Sequence, residues 1–153
     1  MYMLKKNFII LFIIFIIFQV SSFANEEKFL SLKKNKVNVR YGPSFDYPIK
    51  YLYLKKYLPV KVIDKKENFR RIIDHKHNSG WIHISQLKKS SSIVLEKKQL
   101  IFNKPTKFSQ PIAAAEKGKL ILLEKCRINW CKISNESISG WIFLDKYWGK
   151  LPN

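Results

Sequence analysis

Two stretches of this chain end alike. Gly80-Trp81-Ile82-His83-Ile84 closes one and Gly140-Trp141-Ile142-Phe143-Leu144 closes the other, 60 residues apart. A Gly-Trp-apolar ending repeated at that spacing points to a small domain used twice, not one large core built once. Domains of roughly 60 residues bury limited apolar area and seldom enclose a deep catalytic pocket. The repeat therefore steers the functional reading toward recognition at a surface.

Residues 1–24 read as an export signal. Lys5 and Lys6 form a positive n-region, Phe8 to Phe18 is an unbroken apolar run of 11 residues, and Ser22 and Ala24 supply the small residues of a cleavage site. A retained anchor is the rival reading, but a membrane-crossing helix needs about 20 apolar residues. Export implies an extracytoplasmic, disulfide-permissive compartment, so the expected location is periplasmic or secreted, with no transmembrane anchor after cleavage. Without Lys5 and Lys6, 27 Lys and Arg face 11 Asp and Glu, a formal charge of +16. Such an excess favours anionic partners, although the lysines are spread along the chain in a way that compositional drift also explains. No basic helix or zinc-finger spacing is present, and no nucleic-acid partner is expected.

Beyond the signal, apolar and aromatic residues fall in short runs broken by Gly, Pro, Asn and Asp. Val37–Val39, Ile49–Leu54, Leu58–Ile63, Phe69–Ile73 and Trp81–Ile84 read as strands. Leu100–Phe102, Pro111–Ala115, Lys119–Leu123, Trp130–Ile133 and Trp141–Leu144 repeat the rhythm. Ser85-Gln86-Leu87 and Asp145-Lys146-Tyr147 read as 3₁₀ turns closing each unit. Lys88-Lys89-Ser90-Ser91-Ser92 is polar and of low complexity, and reads as a short linker between touching units. The expected fold class is all-β: two tandem small barrels after an N-terminal signal helix, with domains at 28–88 and 94–149 joined through 89–93.

The residues carrying this rhythm resemble a known family. Val37-Asn38-Val39-Arg40-Tyr41-Gly42-Pro43-Ser44 resembles the N-x-R-x-G-P-S opening of bacterial SH3-like (SH3b) domains, and Phe69-Arg70-Arg71-Ile72 with Gly80-Trp81-Ile82 resembles their closing hairpin. Cys126, Trp130-Cys131-Lys132-Ile133 and Gly140-Trp141-Ile142 look like the same hairpin with a cysteine pair, followed by Trp148-Gly149. The match is nearest to tandem SH3-like proteins exported by proteobacteria. The resemblance implies partly open barrels of five or six strands that bind through loops and aromatic grooves, some relatives recognising peptidoglycan peptides. The second unit departs from the opening signature: Ile101-Phe102-Asn103-Lys104-Pro105 stands where the first has Asn38, Arg40 and Gly42-Pro43.

Cys126 and Cys131 are the only cysteines. C-x4-C without a second pair is not zinc spacing, and the two flank a predicted turn, so a hairpin disulfide is expected, with Cys131 pointing inward. A loop this short gives about 2 kcal/mol by chain entropy. His75, His77 and His83 read as solvated loop residues, because Lys76 and the net charge repel a cation; no metal and no cofactor is expected. A Cys–His nucleophile needs a free thiol and a cleft, so no enzyme activity is expected.

Arg40 has two readings: a bidentate clamp on a ligand carboxylate, or a loop tether through Asp46. Tyr41, Tyr47 and Tyr51 are candidates to line a binding groove, against the alternative of packing. Gly42, Pro43, Gly80 and Gly140 are read as structural, and Trp81 and Trp141 as core anchors of their barrels. Together these readings describe an exported, non-catalytic binder of a cell-envelope component, either wall peptide or envelope protein. The alternatives are electrostatic binding to anionic lipid or polysaccharide, and a structural adaptor.

Overall fold

The computed structural model describes residues 28–134 and 137–152; the signal-peptide reading of residues 1–24 lies outside them. The described residues are all-β, with one 3₁₀ turn at Ile84–Gln86. In the first half, β1 (Lys28–Leu32), β2 (Val37–Arg40), β3 (Ile49–Tyr53), β4 (Pro59–Lys66), β5 (Phe69–Ile73), β6 (Ser79–His83) and β7 (Leu87–Lys89) make one antiparallel sheet in the order β3-β2-β6-β5-β4-β1-β7. In the second, β8 (Ser92–Leu95), β9 (Gln99–Phe102), β10 (Pro111–Ala115), β11 (Leu120–Leu122), β12 (Lys125–Arg127), β13 (Trp130–Ser134), β14 (Ser139–Phe143) and β15 (Tyr147–Gly149) make two sheets, β10-β9-β14-β13-β12 and β11-β8-β15.

Alternation along the strands sorts side chains between core and surface. Val37, Val39, Ile72 and Ile82 fill one apolar cluster, and Ile101, Cys131, Ile133 and Ile142 fill a second. Val94 of β8 belongs to the first cluster, with Leu120 and Trp148 packed against it. Both clusters are built from residues at or after Leu30.

The Gly-Trp ending has a different basis from the one the sequence suggested. Trp81 and Trp141 are not core anchors. Gly80 and Ile82 face inward and are buried, so the tryptophan between them points to the outer face, half-exposed. The same holds for Gly140, Trp141 and Ile142. What the motif requires inside is the glycine. A Cβ on Gly80 would run into Val39 Cγ1 and lie 3.0 Å from the Arg40 carbonyl oxygen; one on Gly140 would lie 2.7 Å from Ile101 Cγ2 and 2.9 Å from the Phe102 carbonyl oxygen. The bare backbone lets β2 and β9 cross closely over their hairpins. Gly80→Ala is expected to destabilise the fold by about 2 kcal/mol through overpacking, read as a lower urea midpoint at unchanged slope.

The polar stretch read as a linker is also structured. It contains the end of β7 and the start of β8, and Ser90 and Ser92 are buried. Their hydroxyls bond the buried Ser31 hydroxyl at 3.0 and 2.8 Å, and Ser92 Oγ donates to the Tyr57 carbonyl. Strand patterning missed β1, β7, β8, β12 and β15. Asp145-Lys146-Tyr147 forms a bend leading into β15 and not a 3₁₀ turn. Cys126 and Cys131 are opposed across β12 and β13 and form a disulfide, with Cys131 fully buried.

Candidate functional site

The outer face of the first sheet carries a row of side chains set by strand register. Arg40 of β2 is opposite Trp81 of β6, and Trp81 is in turn opposite Arg71 of β5. Directly opposed residues on an antiparallel pair share a face. The tryptophan is therefore flanked by a guanidinium on each side. A bulge between Val39 and Arg40 shifts the pairing with β3 and brings Lys50 to the same end. The result is a cleft of about 270 Å³ lined by Arg40, Tyr41, Lys50, Arg71, Ser79 and Trp81.

Each lining group has a reason for its position. Arg40 Nη1 donates to the carbonyls of Phe45 (3.1 Å) and Tyr47 (2.6 Å), and its guanidinium lies 5.4 Å from the Phe45 ring centroid. The tether reading holds in form, but the acceptors are backbone carbonyls. Asp46 instead accepts from Ser44 Oγ at 2.6 Å. Lys50 Nζ donates to the Ser79 carbonyl at 3.0 Å and sits 5.7 Å from the Tyr41 ring centroid. Among the described residues, none of Arg40, Lys50 and Arg71 has a carboxylate within ion-pair distance. Three cations on one predominantly polar concavity, with Trp81 and Tyr41 at its wall, suit a carboxylate or another anion.

The candidate tyrosines divide. Tyr41 lines the cleft and is largely exposed. Tyr47 lies over Gly42, where a Cβ would be 2.5 Å from its ring; this is why the opening turn needs that glycine. Tyr51 is not a groove residue. It shares the inner face of β3 with Tyr53, packs against the first core, and its hydroxyl meets the Tyr53 hydroxyl at 3.3 Å. Lys50 belongs to no motif, and the closing-hairpin motif that contains Arg71 does not mark it as a ligand group; cross-strand register brings both beside Trp81. The alternation of β3 places Lys50 on the face opposite Tyr51 and is the one local signal for it.

The hairpin that carries Arg71 and Trp81 is pinned by a buried carboxylate. Asp74 accepts from Tyr53 Oη (2.9 Å), the backbone N–H groups of Lys76 (2.8 Å) and Asn78 (2.9 Å), and Asn78 Nδ2 (3.0 Å). Burial alone would raise its pKa; the hydrogen bonds, those from Asn78 foremost, outweigh it and hold the carboxyl below its usual range. Tyr53 is pushed far above the usual tyrosine value, first by burial and then by Tyr51 and Asp74.

The histidines do not gather. His83 Nδ1 meets Ser85 Oγ at 2.7 Å, and His77 sits at the hairpin tip with φ 64°. His75 is half-buried, not solvated, and burial, aided by Lys76 and Lys55 against Asp74, lowers its pKa. Among the described residues no three His, Cys, Asp or Glu side chains form a metal cluster.

In the second half the equivalent row is Phe102, Trp141 and Lys132. The first guanidinium is replaced by an apolar ring, and Lys132 is 3.6 Å from Glu124. Among the described residues the Arg–Trp–Arg row thus occurs in the first half and not in the second, as the loss of Arg40's counterpart from the sequence implied.

Residues 33–89 match the family model described as Bacterial SH3 domain. This match supports the SH3b family for the segment that carries the cleft. The comparison with curated proteins gives no match. Among solved structures, the chain is similar to NlpC2 from Trichomonas vaginalis at 14% identity and a TM-score of 0.36, over 81% of this chain and 48% of that one. It is similar to NlpC1 from Trichomonas vaginalis at 14% identity and a TM-score of 0.37, over 85% of this chain and 48% of that one. The chain thus spans about half the length of these structures. Likenesses this remote carry no functional weight.

Proposed function

We propose that the chain is an exported, non-catalytic binding protein whose first SH3b unit recognises a carboxylate-bearing component of the cell envelope, with wall peptide as the leading ligand class. In this reading residues 1–24 are removed on export, the mature protein works in the periplasm or outside the cell, and the second half is a second, divergent SH3-like barrel.

The observation that carries the reading is the Arg40–Trp81–Arg71 row with Lys50 at its end. Arg71 and Arg40 engage a carboxylate from two sides while Trp81 and Tyr41 cover an aliphatic neighbour, such as the methyl of an alanine. Arg40 also holds the loop through Tyr47, so the two functions are coupled on one side chain. In this reading the role is recognition, not turnover, and the two cysteines are joined in a disulfide.

The test is sedimentation with isolated peptidoglycan. Mature protein is expected in the pellet. Arg71→Gln and Trp81→Ala are each expected to weaken binding about tenfold, the loss of one charge-assisted contact or one stacked ring. Both residues are outside the cores, so folding is retained. Full recovery of wild type in the supernatant at low salt rejects the reading.

A further inference from the structure

The two halves differ most at one pair of loops. In the first half, β4 and β5 are joined by the two-residue turn Glu67-Asn68, between the opposed residues Lys66 and Phe69. In the second, β12 and β13 are joined by Ile128-Asn129, between Arg127 and Trp130. The leading residue of each turn has positive φ, 47° at Glu67 and 54° at Ile128. An isoleucine is costly there, because a β-branched side chain crowds the left-handed region that Asn and Gly enter freely. Its side chain is nevertheless 91% exposed.

An aromatic residue in the neighbouring loop also differs in its setting between the halves. Phe45, in the loop after β2, rests on Phe69 and His83 at centroid distances of 5.2 and 5.1 Å. In the loop after β9, Lys107 instead takes the position over the neighbouring ring, 4.5 Å from the Phe143 centroid, and Phe108 stands fully exposed. This loop is not frayed. Lys104 N–H donates to Ser109 Oγ, Phe108 N–H to Thr106 Oγ1, and Asn103 N–H to the Gln110 carbonyl. The two tips lie at one end of the sheet, linked by the edge-to-face rings of Phe102, Trp130 and Phe143.

The two tips, residues 103–110 and 127–129, contain three cations, Lys104, Lys107 and Arg127, and no acidic residue; Glu124 and Lys125 lie further back along β12. Two apolar side chains, held out on neighbouring ordered loops that also carry these cations, form a projection and not a groove. A protein partner would have to provide matching apolar pockets; a bilayer accepts such a projection without one. We infer that this end of the second half docks onto an anionic lipid surface, with Phe108 and Ile128 entering the headgroup–acyl boundary and the three cations of the tips facing the headgroups. The function is separate from the anion cleft of the first half, and the two together let one chain bridge membrane and wall.

The chain from Asn25 onward keeps every residue of both cores and is the form to test, by sedimentation with phosphatidylcholine vesicles with or without phosphatidylglycerol. Wild type is expected to pellet with the anionic vesicles and to stay in solution with phosphatidylcholine alone. Phe108→Ser and Ile128→Asn leave the net charge unchanged and are each expected to reduce vesicle affinity about tenfold. Ile128→Asn also removes strain, so it is expected to resist urea as well as or better than wild type while binding less. Arg71→Gln is expected to bind vesicles normally, and Phe108→Ser to bind peptidoglycan normally, so each reading can fail alone. The inference is overturned if wild type does not pellet with anionic vesicles, or if both tip variants pellet as wild type. It is equally overturned if Ile128→Asn loses stability together with binding, or if an acidic protein and no vesicle captures the tip.

Discussion

Asp74→Ala is expected to destabilise the protein by about 3 kcal/mol or more. The side chain is 1% exposed and accepts four hydrogen bonds. Removing it leaves the backbone donors of Lys76 and Asn78 and the Tyr53 hydroxyl without their acceptor, and leaving buried donors unpaired costs more than a bond contributes. The damage falls on the β5–β6 connection, so peptidoglycan binding is expected to weaken as well, although Asp74 touches no part of the cleft. The pH dependence has a definite sign. The folded carboxyl lies below its unfolded value of about 3.9, so its stabilisation is complete above about pH 4 and is lost as pH falls through the folded value. Urea midpoints measured down an acid series should therefore fall for wild type, and the gap between wild type and Asp74→Ala should narrow. A constant gap would mean that Asp74 acts through shape and not charge.

What the sequence made legible follows a physical rule. The hairpins bounded by Gly, Asn and Pro are readable because each turn residue has a local conformational reason. The facing of β13 is readable too: with Trp130 and Lys132 outward, Cys131 falls inward, as found. The missed strands are those whose character comes from distant partners. Ser92 of β8 is a polar residue in a polar run, and it is buried because Ser31 and Tyr57 supply its hydrogen bonds. Composition cannot report a satisfied serine. Trp81 misleads for a related reason. Size argues for burial, but the alternation imposed by Gly80 and Ile82 decides the face, and the glycine's role emerges only once β2 crosses above it.

The candidate site shows the same division. Arg40 and Tyr41 are legible because they belong to one contiguous motif. Lys50 is not, and Arg71 is legible as part of the closing hairpin but not as a ligand group, because they meet Trp81 through the bulge after Val39 and the pairing of β5 with β6. Tyr51 suits a groove by its chemistry alone; its register partner Val39 is a core residue, and that fixes the ring inward. Register, which is a property of a strand pair and not of one strand's own sequence, is the missing variable in each case.

Trp148→Ala is expected to cost about 3 kcal/mol and to uncouple the two halves. Trp148 is on β15 and belongs by pairing to the second half, yet its Nε1–H donates to the Pro59 carbonyl at 3.1 Å and its ring meets Phe29 edge-on at 5.4 Å. It packs against the first core together with Leu120, and its register partner Val94 is itself a member of that core. The first half thus completes its apolar cluster with side chains from the second. Such sharing makes the halves unfold together, so wild type is expected to show a single calorimetric transition whose van't Hoff and calorimetric enthalpies agree. Removing the indole withdraws the hydrogen bond, the ring contact and much of the shared apolar area at once. The variant is expected to separate into two transitions, the first half melting at the lower temperature because its cluster is the one left open. Trp148→Phe restores the ring contact without the donor and should recover part of the loss and most of the coupling. A single transition at an unchanged midpoint in Trp148→Ala would show that Val94 and the serine cluster suffice to join the halves.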